Sequence, residues 1–260
     1  MIKILQYSFS DLTRSRWNYF YFAFYFLTGI VLLFLNDDLS KAVITFINII
    51  IVLTPLIGTL FGIMYFYHSR EFTELLLAQP IRRSTIFLGQ FFGLSLSLSA
   101  SFALGLGIPF ILYGILFSTE IFNFLMLIVT GVFLTFIFVS LSFNIALDNE
   151  NRIRGFAFAV LLWLFLAVIY DGLFLLFLVA FNEYPLDKFA LLASTFNPID
   201  LSRILILLKL DISALLGYTG AVFQNFFGTG LGLFISLIVL LLWSVLPVLR
   251  MLHKLKSKDF

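Results

Sequence analysis

Long apolar stretches separated by short charged ones dominate the pattern of this chain. Six of the stretches are long enough for a helix to cross a bilayer core, which takes about 20 residues. They cover roughly 17–35, 43–66, 86–117, 122–147, 156–181 and 228–249. The third exceeds one straight span, and Gly105, Gly107 and Pro109 are expected to break it or let it tilt. Two segments follow a different rhythm. In residues 1–16, Ile2, Leu5, Phe9 and Leu12 fall near helical spacing beside Lys3, Arg14 and Arg16, which predicts a short amphipathic helix lying on a membrane surface. Residues 182–227 mix apolar runs with Glu183, Asp187, Lys188, Asp200, Arg203, Lys209 and Asp211. A structureless loop of that length is unusual. Two or three short helices are expected there, lying on the outer leaflet or dipping into it. Asn197-Pro198 with Asp200 reads as a helix start, with proline in the first turn.

Composition agrees with the pattern. The 260 residues are 62% hydrophobic and 12% charged, with a mean hydropathy of +1.09. A soluble domain is nearer half apolar and a quarter charged, so one water-facing core cannot hide this surface and lipid must serve as solvent. The fold class is therefore an all-α polytopic membrane protein, one domain over 1–260 with six transmembrane helices. No cysteine occurs, which excludes disulfides and thiolate metal sites.

The net charge of +2 says little, but its placement says more. Lys3, Arg14, Arg16, Arg70, Arg82, Arg83, Arg152, Arg154, Arg250, Lys254, Lys256 and Lys258 fall before the first run, in the loops at 67–85 and 148–155, or in the C-terminal tail. Only Lys41, Lys188, Arg203 and Lys209 fall in the alternate set of connections. The positive-inside rule puts both termini and both basic loops in the cytoplasm and 182–227 outside. The N-terminal segment lacks a small-residue cleavage site after its apolar run, so the first helix is expected to be retained as an anchor.

Candidate chemistry is sparse. No phosphate-cradling G-x-x-x-x-G-K-[ST] motif is present, and the reading is a non-catalytic membrane subunit. Asp171, beside Tyr170, is the one acidic residue within a run. It is expected to make a polar contact that holds or gates the outer end of the bundle. An intramembrane aspartyl protease would need a second carboxylate sharing a proton, and no second run supplies one. His68 and His253 are isolated, and Met1, Met64, Met126 and Met251 do not cluster, so no metal site is expected in the chain. Gly89-x-x-x-Gly93 and Gly228-x-x-x-Gly232 could let helices approach closely, within one chain or between copies.

The loop at 68–85 is the most informative segment. Its charges bracket a short apolar helix at Leu75 to Ala78 that ends at Pro80, and a new helix starts near Ser84, which can cap it. Read as pattern alone, it is either a basic turn that fixes topology or a rigid helix that passes force from a soluble partner. The segment resembles the signature of ABC-2 type permeases. The matching residues are Glu71, Thr73, Glu74 with Leu75 and Leu76, Pro80, Arg82 or Arg83, and Leu88-Gly89. Phe72 replaces the small residue usual before the threonine, and Gln90 the lysine usual after the glycine. The resemblance implies a coupling helix, with Glu71, Thr73, Glu74, Pro80, Arg82 and Arg83 facing a separate ATPase.

The segment 197–211 and the pair Tyr170-Asp171 are similar to permease subunits of nitrous-oxide reductase maturation systems, which support assembly of a copper–sulfur site. On that resemblance the expected partners are a second copy of the chain, two cytoplasmic ATPase subunits that bind the ATP and Mg, a periplasmic β-helix protein and the lipid bilayer, with no nucleic acid. The expected location is a bacterial inner membrane. Asn197, Asp200 and Arg203 are the candidates for docking the periplasmic partner. A generic ABC-2 exporter of lipid, drug or peptide is the alternative, and a passive membrane scaffold is the reading that needs no ATPase.

Overall fold

The computed structural model describes residues 1–36, 39–181, 187–209 and 230–257, and every regular element among them is helical. In chain order these are α1 (Ile2–Thr13), α2 (Arg16–Leu35), α3 (Leu39–His68), α4 (Arg70–Leu77), α5 (Arg83–Leu112), a 3-10 turn (Ile115–Phe117) and α6 (Ile121–Asp148). There follow α7 (Arg152–Leu164), a π-helical segment (Phe165–Ile169), α8 (Tyr170–Ala180), α9 (Asp187–Thr195), α10 (Pro198–Lys209) and α11 (Gly230–Ser257). Six helices are long and apolar enough to cross a membrane: α2, α3, α5, α6, the continuous run Arg152–Ala180 and α11. The chain is a multi-pass membrane protein built on these six. They extend the apolar runs by a turn or so into charged residues, because a helix ends at its cap rather than at the edge of its apolar stretch. Asn151 caps α7 by accepting from the amides of Ile153 and Arg154. Beyond α5, Gly114 turns the chain at φ 94°, a conformation suited to glycine.

Side-chain contacts fix the helix directions. α2 runs parallel to α5, since Asn18 donates to Ser97, Tyr25 meets Phe102, and Gly29 faces Pro109. α3 runs parallel to α6, where Gly58 and Gly62 let the backbones close up and Ser142 Oγ donates to the Thr59 carbonyl. α11 is parallel to α6, through Asn144 to the Pro247 carbonyl and Arg250 to Asp148. α5 and α6 are antiparallel, pairing Phe91 with Phe143 and Phe110 with Phe124. Odd and even spans therefore alternate. One end of the bundle carries α4, the turn at 149–151 and the last turn of α11. The opposite end carries the connection from α5 to α6 and the outer end of α8. α5 is the most enclosed span, with 67% of an 18-residue apolar stretch of it buried, against 11% for the span made by α7 and α8.

Two sequence expectations change, and a third gains detail. α5 passes through Gly105 and Pro109 without a break and ends after Leu112. The two residues serve packing on α2 instead. A Cβ at Gly105 would come 2.8 Å from the Phe22 carbonyl oxygen, and Pro109 packs against Gly29. The expected helix near the N-terminus is present as α1. It lies along the first turns of α5, with Ile4 over Gly89 and Ser8 over Gly93, while Ile2 is exposed. The Gly89-x-x-x-Gly93 pair is thereby occupied within the chain, and Gly228 lies outside the described residues. At the start of α5, Arg82 in extended conformation is the cap residue, and Ser84 falls inside the first turn.

Candidate functional site

Two polar constellations stand out, one at each level of the bundle. At the first end, α4 begins at Arg70, earlier than the apolar run predicted, because Arg70 and Glu74 pair at 3.0 Å across one turn. Its inner face is tied down twice. Gln90 Nε2 donates to Thr73 Oγ1 at 2.8 Å, a buried bond to α5, while that hydroxyl donates to the Ser69 carbonyl at 2.8 Å. Phe72 stacks on Tyr7 of α1 with ring centroids 4.9 Å apart. The two positions where the sequence departs from the ABC-2 signature, Phe72 and Gln90, are thus the two that anchor α4.

The outer face of α4 is open. Glu71, Glu74, Leu75 and, beyond the helix, Pro80, Arg82 and Arg83 are exposed, whereas Thr73 is buried. Thr73 therefore belongs to the anchor rather than to a contact surface. Beside α4 lies a small cavity of about 130 Å³ among Tyr67, Arg70, Glu74 and Glu150. Its far wall is fixed by Tyr67, whose hydroxyl donates to the Asn149 carbonyl at 2.6 Å.

The second constellation lies in the bundle interior. α9 and α10 form a hairpin bent by 111°. Its vertex is held at mid-depth. Trp243 Nε1, from the middle of its span, donates to the Thr195 carbonyl at 3.0 Å. Asn197 Nδ2 donates at 2.8 Å to the carbonyl of Leu166, the central residue of the span Arg152–Ala180. Leu166 lies in the π segment, where the widened turn makes a backbone carbonyl accessible to a side chain. Asn197 also caps α10, accepting from the Ile199 amide at 3.1 Å, and it donates to Asp200 Oδ2 at 2.8 Å. The expected helix start at Asn197-Pro198 is present.

The charged residues meet just outward of this vertex. Arg203 Nη1 lies 2.7 Å from Asp171 Oδ2 and 3.3 Å from Asp200 Oδ1. Tyr170 donates from its hydroxyl to the Ala193 carbonyl at 2.6 Å. The sequence treated Tyr170 and Asp171 as one site and Asn197, Asp200 and Arg203 as another, and the fold brings all five together. Asn197 and Asp200 are buried and bonded within the chain, so these two do not form an outward docking face. Asp171 has a neighbouring carboxylate after all, supplied by the hairpin. Arg203 reaches both acids through the same guanidinium nitrogen, hydrogen-bonding Asp171 and lying within ion-pair distance of Asp200. Chemically the arrangement is a latch joining the hairpin to α8. Only the non-local return of α10 into the bundle creates it, and no local spacing signals that return. No family model matches the sequence, and no curated protein matches it either.

Proposed function

We propose that this chain is the membrane subunit of an ABC-2 type transport machine that takes its energy from a separate cytoplasmic ATPase. The observation that carries the reading is the double anchoring of α4. Its outer face, with Glu71, Glu74 and Leu75, is open, while its inner face is bonded to α5 and stacked on α1. A partner pushing on that face moves α5 and α1 with it. The excess of arginine and lysine at this end favours a cytoplasmic location for it and for both termini. The hairpin then faces the periplasm of a bacterial inner membrane and serves as the output element. Two copies with two ATPase subunits, which bind the ATP and Mg, make the working unit. The resemblance of 197–211 and Tyr170-Asp171 favours maturation of the copper–sulfur site of nitrous oxide reductase, with a periplasmic β-helix partner.

Purification of the tagged chain from its native membrane, followed by ATPase assay, tests this. An ATPase subunit is expected to co-purify, and Glu71→Ala with Glu74→Ala is expected to weaken its retention or uncouple its hydrolysis. Absence of any co-purifying ATPase, with output unchanged by both changes, would favour a passive scaffold. A second reading, an exporter of lipid, drug or peptide, draws on a cleft of about 740 Å³ between α6, α7 and α11 that is lined by Leu141, Phe158, Leu161 and Leu246. Co-purification of a β-helix protein separates the two.

A further inference from the structure

The start of α5 and the last turns of α11 border an open cleft of about 880 Å³. Arg82, Arg83 and Ser84 line it from α5, and His253 and Lys256 from α11, while Leu88, Leu249 and Leu252 form its walls. No acidic side chain lines it among the described residues. The basic residues of α11 divide by helical spacing. Arg250 and Lys254 share one face and both pair with Asp148 of α6. Leu249, Leu252, His253 and Lys256 share another face, turned to the cleft. Basic residues in a last turn are favoured by the helix dipole alone. That preference does not account for their convergence with Arg82 and Arg83, nor for a wall of leucines beneath them.

We infer that this cleft binds the headgroup of an anionic phospholipid, with the first part of its acyl chains along Leu88, Leu249 and Leu252. The phosphate would meet Arg82, His253 and Lys256 at the positive end of α5, whose first amides have no side-chain cap. The volume lies within the range of small-molecule sites, which run to about 1,000 Å³. Charge complementarity selects an anionic headgroup, and the leucine wall selects a lipid over a free anion. The site stands independently of any ATPase.

Native mass spectrometry of the full chain in neutral detergent, titrated with dioleoylphosphatidylglycerol, dioleoylphosphatidylcholine or inorganic phosphate, tests it. Phosphatidylglycerol is expected to bind about tenfold or more tighter than phosphatidylcholine. Lys256→Gln, an exposed change, should lose about fivefold of that affinity, and Arg82→Gln with Lys256→Gln about 30-fold. Arg152→Gln with Arg154→Gln, outside the cleft, should leave it unchanged. Equal binding of the two lipids, full displacement by millimolar phosphate, or undiminished binding by the Lys256→Gln variant would each overturn the assignment.

Discussion

Arg203 reaches from α10 to Asp171 on α8 and holds its carboxylate at 2.7 Å, while Asp200 lies 3.3 Å from the same guanidinium nitrogen. A lone charge at the centre of a span costs about 2.5–3.5 kcal/mol on insertion scales, and less toward the end where this cluster lies. The cluster offsets that cost through the one cation that both acids share. Its asymmetry makes a directional prediction. Asp171→Asn leaves Arg203 with Asp200 and should lower stability by about 1–2 kcal/mol. Arg203→Gln leaves two facing carboxylates and should cost about 3 kcal/mol or more. The double variant should fall short of the sum, with a coupling of about 1–2 kcal/mol. Detergent-denaturant titration followed by tryptophan fluorescence measures all four states, and additive losses would dissolve the latch.

Gln90 and Thr73 allow a separate test of how α4 is held. Gln90→Leu removes the donor to Thr73 and should detach α4 from α5, at a cost to global stability of about 1 kcal/mol. Limited proteolysis within 78–82 reads the detachment. Faster cleavage in the leucine variant than in the parent is expected, and equal cleavage would mean that Tyr7 and Phe72 alone hold the helix.

Much of the architecture could be read locally, because an apolar run long enough to span is its own signal. The six spans, the helix start at Asn197-Pro198 and the short helix before Pro80 all belong to that kind. What could not be read depends on partners distant in sequence. Gly105 and Pro109 look like a break, yet they are a seat for α2, since only the position of Phe22 and Gly29 makes the small residue and the ring useful there. α1 reads as a surface helix because its charges flank its apolar residues, and nothing local in it signals the groove that Gly89 and Gly93 offer on α5. Asn197, Asp200 and Arg203 look like an exterior surface because charged residues usually face water. Their partners, Leu166 and Asp171, sit on a different span.

The glycine groove under α1 predicts opposite outcomes for two similar substitutions. A Cβ at Gly93 would lie 2.5 Å from Ser8 Cβ and 3.1 Å from the Phe9 amide nitrogen, so α1 must move. Gly93→Ala should destabilise by about 1–3 kcal/mol. A Cβ at Gly107 meets nothing within 4 Å, so Gly107→Ala should gain up to about 1 kcal/mol from helix propensity. Thermal unfolding in one detergent compares them. A neutral Gly93→Ala would mean that α1 is not seated on α5 in solution.

Asn197 holds the vertex of the hairpin through three bonds, and its substitutions separate them. It caps α10 at the Ile199 amide, donates to the Leu166 carbonyl and donates to Asp200. Asn197→Ala removes all three. The lost cap costs about 1 kcal/mol, and the two buried acceptors left behind cost about 1 kcal/mol or more each, so about 3 kcal/mol in total is expected. Asn197→Asp keeps the cap but loses both donors and sets another carboxylate beside Asp200, so it should be no better than alanine even though it restores the cap. If the hairpin is a latched unit, this loss is local. Amide exchange should accelerate across 199–205 and 166–172 in both variants while the α3–α6 contact around Thr59 and Ser142 stays protected. Uniform acceleration across the bundle would show instead that α9 and α10 are part of its common core, and that the latch between Arg203 and Asp171 has no independent opening to control.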